Sequence, residues 1–392
     1  MTYDFDTPID RRGTDCLKFD SAEKRHRSPD LLSLWVADMD FPTAPEILQA
    51  IHERVDHGIF GYTEPGPAYF AALDSWCSHR YGWHVPVEQV IFTPGVVYAL
   101  AAAVRAFTEP GDAVIIQQPV YYPFASVIAA NGRTLVNESL VFEGGIYSID
   151  FDAFERAVAE NGVKLFLLCN PHNPGGRVWS AAELTHLAEI CERHEVIVVS
   201  DEIHMDFTRP GHEHTPFLTL DERFAKRSIA CTSASKTFNL AGLQVANTII
   251  PNEEMRRAFR DAVFATGFAE GNTLGLVATQ AAYEHGGAWL DELKDYLEGN
   301  WSLLADKLRA NAPELELVES GSTYLAWIDC RSLGLRGRDL RRFIEDEASL
   351  WLDCGDMFGP SGDGFIRINL ATQRAYLARA VDQLCSAVRR RA

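Results

Sequence analysis

No pair among the eight cysteines, Cys16, Cys77, Cys169, Cys191, Cys231, Cys330, Cys354 and Cys385, has C-x-x-C spacing, which removes zinc-ribbon and thioredoxin-like readings. Several lie in apolar runs, as in Ile190-Cys191 and Ala230-Cys231, where cysteine behaves as a small buried hydrophobe. No run of about 18 apolar residues occurs, so no membrane-spanning helix is expected. The opening Met1-Thr-Tyr-Asp-Phe-Asp6 is acidic and lacks an apolar core segment, so no secretory signal is expected and the chain reads as reduced and cytoplasmic. Basic residues are also scarce. Lys and Arg number 36 against 55 Asp and Glu, and the net charge of −19 excludes nucleic acid and anionic membranes as natural partners. No repeat, low-complexity tract or helix-turn-helix pattern is visible, which argues against a DNA-reading regulator.

Three apparent motifs fail on spacing or context. His52-Glu-Arg-Val-Asp-His57 has one residue too many for H-E-x-x-H, so no metal is expected. Gly359-Pro-Ser-Gly-Asp-Gly364 does not follow a strand within a βαβ unit and reads as a turn. Ser233-Ala-Ser-Lys236 satisfies S-x-x-K, yet the companion motifs of serine β-lactamases are missing.

What is present is a 392-residue chain, 47% hydrophobic and 23% charged, long enough for two domains. From about residue 90, short apolar runs alternate with amphipathic segments. Val90–Thr93, Ala113–Ile116, 163–169, 196–199, 227–232 and 245–250 read as strands, and Ser180-Ala-Ala-Glu183 as a capping box opening a helix. The alternation predicts an α/β fold with a mostly parallel, doubly covered sheet. After residue 285 a long helix (288–310), strands at 323–328 and 365–369 and a final helix from Gln373 predict a smaller α+β domain. The expected organisation is a segment 1–49 packing on the small domain, a large domain 50–289 and a small domain 290–392.

Ligands in open α/β sheets bind beyond the carboxyl ends of the strands. Three such ends are polar here: Asn170-Pro-His-Asn-Pro-Gly-Gly176, Ser200-Asp-Glu-Ile-His204 and Ser233-Ala-Ser-Lys236. An amide, a carboxylate and an amine thus converge on one crevice. A partly desolvated Lys236 can condense with an aldehyde, and Asp201 can hold a proton on a ring nitrogen, the partner that pyridoxal 5′-phosphate (PLP) requires. Ser233 and Ser235, with the amides of Gly95, Val96 and Val97 opening a helix, suit a phosphate.

Together these motifs resemble the class I/II, fold-type-I PLP enzymes over nearly the whole chain. Val36-Ala-Asp-Met-Asp-Phe-Pro-Thr-Ala-Pro45 and Ser235-Lys-Thr-Phe-Asn-Leu-Ala-Gly-Leu-Gln244 resemble the cystathionine β-lyase or cysteine-S-conjugate β-lyase branch. The resemblance implies that Lys236 is the Schiff-base lysine, Asp201 the partner of the pyridine nitrogen and Asn173 the donor to the cofactor's 3′ oxygen. It implies that Tyr121 stacks on the ring and Arg367 forks onto the substrate α-carboxylate, with Ala37 beside the substrate. Tyr62 is implied to reach the phosphate and substrate of a neighbouring subunit, hence a homodimer. His204 stands where many aminotransferases carry a tyrosine, and Gln244 where many carry a phosphate-binding arginine. Gln244 is common among the lyases, which favours α,β-elimination of an amino-acid thioether over the alternative, transamination with a keto-acid acceptor.

Overall fold

The computed structural model describes residues 2–391. Its centre is a seven-stranded sheet formed by β1 (Val90–Thr93), β2 (Ala113–Ile116), β3 (Thr134–Asn137), β4 (Leu165–Cys169), β5 (Ile197–Asp201), β6 (Ser228–Thr232) and β7 (Ala246–Ile249). The spatial order is β1-β7-β6-β5-β4-β2-β3. Only β7 runs against its neighbours, so six strands point their carboxyl ends the same way. Every residue of β4 is buried, and alternate side chains enter different cores. Leu165, Leu167 and Cys169 pack beneath the helix Val96–Phe107, while Phe166 and Leu168 pack with the helices Phe151–Asn161 and Ala181–Arg193. This two-sided burial explains why the strand reads as one unbroken apolar run. The expected α/β architecture is therefore the observed one.

Local signals worked where they were strong. Ser180 Oγ accepts from Glu183 N at 3.2 Å and Glu183 Oε2 accepts from Ser180 N at 2.8 Å, closing the capping box. The sequence reading assigns no strand to 134–137. It is an edge strand with three of its four residues exposed, so it lacks a hydrophobic period.

A second, antiparallel sheet comprises β8 (Glu316–Leu317), β9 (Leu325–Asp329), β10 (Asp353–Cys354) and β11 (Phe365–Asn369), in the order β8-β9-β11-β10. Its register sets Arg367 between Trp327 and Asp353. The helices Gly287–Asn311 and Arg374–Arg391 cover it.

The amino-terminal segment touches both sheets' surroundings. Leu32–Ser33 pairs in parallel with Leu350–Trp351, and Leu34 enters the core of the smaller sheet. Phe5, Met39 and Phe41 pack instead with Trp289 and Tyr296 in the core that also holds Phe238. Between these anchorages lies a buried charge network. Arg11 meets Asp38 at 2.6 Å and Asp40 at 2.8 Å, and Lys18, wholly buried, meets Asp40 at 2.7 Å. Burial pushes the Asp40 carboxyl up, but Lys18 and Arg11 outweigh it and hold the group below its ordinary value. Removing one member of such a pair strands the other's charge out of water. Lys18→Met is therefore expected to destabilise the protein by about 3 kcal/mol in denaturant unfolding, with much of the loss recovered in Lys18→Met/Asp40→Leu. A Lys18→Met cost within about 0.5 kcal/mol, the range of ordinary surface changes, would show that the network is not structural.

Candidate active site

The carboxyl ends of β4, β5 and β6 lie side by side, with Cys169, Asp201 and Cys231 in register. Asp201 is consequently enclosed. Burial pushes its carboxyl up to about 7, against the pull of the Ile203 amide, which donates to Oδ1 at 3.1 Å, and of Lys236. Lys236 follows β6 on the short helix Ala234–Thr237, whose cap is Ser233. Thr237 Oγ1 donates to the buried Asp206 at 2.6 Å, which anchors the turn from below. The Lys236 ammonium donates to the carbonyl oxygen of Ala37 at 2.8 Å, and the Tyr324 hydroxyl donates to the same oxygen at 3.0 Å. Desolvation lowers the Lys236 pKa from 10.5 to about 8. Asp38 and Asp201 oppose that fall and Arg367 adds to it.

The remaining site residues are tied to one another. Tyr121 N donates to Asn173 O at 3.0 Å, and Arg367 Nη1 donates to Asn173 Oδ1 at 2.9 Å. Arg367 Nη2 reaches Trp35 O at 3.2 Å and pairs with Asp353, supplying the counter-charge that a guanidinium only 3% exposed requires. Its Nε has no partner and points into the protein unmet. His204 is buried with Nδ1 likewise unpartnered, and desolvation, with Lys236 and Arg367 nearby, lowers its pKa to about 3, so the ring is neutral.

The helix Val96–Phe107 starts at Gly95, at φ 147° and ψ 161°, with no side chain capping its first amides. A φ of that sign suits glycine, and a Cβ there would meet nothing within 4 Å. An uncapped helix start facing open space is an anion site in waiting. Ser233, expected at the phosphate, also has partners within the chain, Ser235 Oγ among them at 2.8 Å. Its hydroxyl donates to Val245 O at 2.6 Å and accepts from Ser235 N at 3.0 Å, so it is engaged within the chain. Ser235 and the amides of residues 95–97 are left to meet an anion. Gln244 is exposed and left-handed at φ 55°.

Tyr62 is not brought to the site. It lies 94% exposed on the loop between the helices Pro45–His57 and Pro67–Tyr81. The sequence reading overlooked Tyr324, Asp353 and Asn369. The tyrosine follows Thr323 just ahead of β9, and Asn369 ends Phe365-Ile-Arg-Ile-Asn369, but nothing in either run marks a polar contact with residues 35–38.

The site gathers an amine, an enclosed carboxylate, an unpartnered imidazole nitrogen and an uncapped helix start. That set fits PLP, with Lys236 for the aldehyde, Asp201 for the ring nitrogen, Asn173 and His204 for the 3′ oxygen and Ser235 with Gly95, Val96 and Val97 for the phosphate. In the apoprotein, amine-directed labelling of Lys236 against pH is expected to reach half-maximum near pH 8 and to move to lower pH in Asp201→Asn, where a favourable anion is lost. A midpoint near 10.5 would show that the amine is not desolvated.

The sequence model for "Aminotransferase class I and II" matches residues 29–384. Cystathionine beta-lyase PatB of Bacillus subtilis is 41% identical over 98% of this chain and 99% of that protein. Protein MalY of Escherichia coli is 36% identical over 99% of each. The crystal structure of cystalysin from Treponema denticola, which contains a PLP cofactor, superposes with a TM-score of 0.96 and 37% identity, covering all of both chains. With that match running along most of its length, the chain belongs to the aminotransferase class I and II family.

Proposed function

We propose that the protein is a PLP-dependent carbon–sulfur β-lyase. It would act on cystathionine or a related L-cysteine S-conjugate and yield a thiol, pyruvate and ammonia. The observation that carries the reading is the Lys236 amine. Desolvation lowers its pKa to about 8 and it rests on Ala37 O at 2.8 Å, with Asp38, Arg367 and Asp201 acting on it. The likeness to PatB, a cystathionine beta-lyase 41% identical to this chain, supports the choice of elimination.

When bound, PLP supplies an electron sink for charge developing at Cα. The chain's own residues prepare for it. Arg367 supplies the planar cation for the substrate carboxylate, and its unpartnered Nε is a donor still to be satisfied. Lys236, neutral in a substantial fraction at pH 8, takes the Cα proton. Asp201 would hold the ring nitrogen of the cofactor, and a proton there would favour the ionised carboxylate against the rise that burial imposes. Loss of the Cα proton and of the Cβ–S bonding pair to sulfur leaves an enamine, and water converts it to pyruvate and ammonium. The thiolate gains one proton, and no external oxidant enters the balance.

The same reading takes residues 50–289 as the cofactor-binding domain and 290–392 as the small domain, with 1–49 lying against them. It also takes the active unit to be a homodimer in which Tyr62 serves the partner's phosphate and substrate. Supporting this are the apolar side chains left in solvent just ahead of Tyr62 in the chain, Ile59 64% and Phe60 56% exposed. Eight free cysteines suit a reducing, cytoplasmic setting, and no described helix is long and apolar enough to cross a membrane.

Two experiments test the proposal. Cystathionine incubated with holoprotein is expected to release equal amounts of pyruvate and thiol without a keto-acid acceptor, and Lys236→Ala to lose at least about a thousandfold of that rate, since base and attachment point vanish together. A strict requirement for an acceptor would make the protein an aminotransferase instead. Separately, mixing inactive Lys236→Ala with impaired Tyr62→Ala is expected to restore activity missing from both parents. A mixture no more active than the sum of its parts would place Tyr62 outside a shared site.

A further inference from the structure

We propose that Asp38 is a positioning residue for Lys236, and that Arg11 sets how strongly it acts, so that this pair fixes the pH at which the amine becomes free. The inference rests on Lys236 being the PLP-binding amine and is independent of which thioether is the substrate.

The segment from Val36 to Phe41 is held at consecutive points by its backbone. Asn369 Nδ2 donates to Val36 O and to Asp38 O, each at 2.6 Å. Lys236 and Tyr324 share Ala37 O, while Asn239 Nδ2 donates to Met39 O at 3.0 Å and to Phe41 O at 3.1 Å. The chain therefore cannot slide, and residue 38 is delivered immediately beyond the carbonyl on which the amine rests.

The charges facing Lys236 come from three elements: Asp38 on this segment, Arg367 on β11 and Asp201 at the end of β5. Asp38 acts most strongly of the three. It is also the strongest charge acting on Tyr324, the other donor to Ala37 O. His204, a neutral ring, and the phenols Tyr121 and Tyr324 add no charge around it. Behind Asp38 stands its own counter-ion. Arg11 donates to Oδ2 at 2.6 Å and to Oδ1 at 3.2 Å, and also holds Asp40, which Lys18 neutralises from the far side. An anion near the amine is thus partly cancelled by a cation one layer further out. The two side chains should shift the amine in opposite directions.

The test uses full-length apoprotein, with Lys236 reductively methylated across a pH series and read by peptide mass spectrometry. Asp38→Asn is expected to lower the midpoint by about half a pH unit or more, since an anion near the ammonium is removed. Arg11→Met is expected to raise it, since the cancelling cation is removed. The visible absorbance band of the holoproteins should titrate in the same two directions. Midpoints that stay put, or move the same way in both variants, overturn the proposal. Should Asp38→Asn fail to fold, Arg11→Met decides by itself: a rise supports the assignment and no change defeats it. Opposite shifts in apoprotein that shows no visible band after PLP addition would sink the cofactor reading and leave the Asp38 assignment intact.

Discussion

An amine kept partly unprotonated near neutral pH must be withdrawn from water without leaving its hydrogens unmet. Here that demand is met by a single backbone oxygen, the carbonyl of Ala37, 2.8 Å from Lys236 Nζ. A side-chain carboxylate in its place would stabilise the ammonium and undo the effect of desolvation. A neutral carbonyl satisfies the donor while adding only a dipole. The rest of the site is arranged around that contact: Tyr324 and Asn369 hold the segment carrying the carbonyl, and Asp206, through Thr237, holds the turn carrying the amine.

The two sheets contribute unequally. The seven-stranded sheet supplies the groups disposed toward a cofactor, because six of its strands end on the same edge. The four-stranded sheet supplies Arg367, which the proposed function gives to the substrate carboxylate. The hydrogen bond from Arg367 to Asn173 Oδ1 joins the two sets directly. Any movement of the smaller sheet that carries Arg367 is therefore felt at a residue assigned to the 3′ oxygen. The Asp353 partner keeps the guanidinium compensated within a nearly dry environment, where an isolated charge would cost several kcal/mol.

Much of this was legible in the chain itself, for identifiable reasons. β4 and β6 announced themselves because burial on both faces forces an uninterrupted apolar run, and polar residues directly after such a run have little to do except meet a ligand. That pattern singles out Asn173 after β4 and Lys236 after β6, and Asp201 at the end of the neighbouring β5. β3 was not legible, since an edge strand with one buried residue carries no pattern. Tyr324 and Asp353 were invisible because their roles depend on contacts with Ala37 and Arg367, distant in the chain. Ser233 stands at the strand end as expected, and its hydroxyl also donates to Val245 O, a contact that nothing in the local sequence marks. Lys18 could not be recognised as buried, because a lysine on a four-residue helix has the look of ordinary solvent-facing charge.

One property of the segment from Val36 to Phe41 bears on how the protein can change over generations. Its anchors grip oxygens that all amino acids possess, at positions 36, 37, 38, 39 and 41. Replacing the methyl of Ala37 by another small group alters nothing that the lysine senses, whereas adding or deleting one residue shifts every oxygen out of reach at once. At positions 36 and 37 length counts for more than the side chain, whereas the carboxylates of Asp38 and Asp40 and the core side chains of Met39 and Phe41 must be preserved along with it.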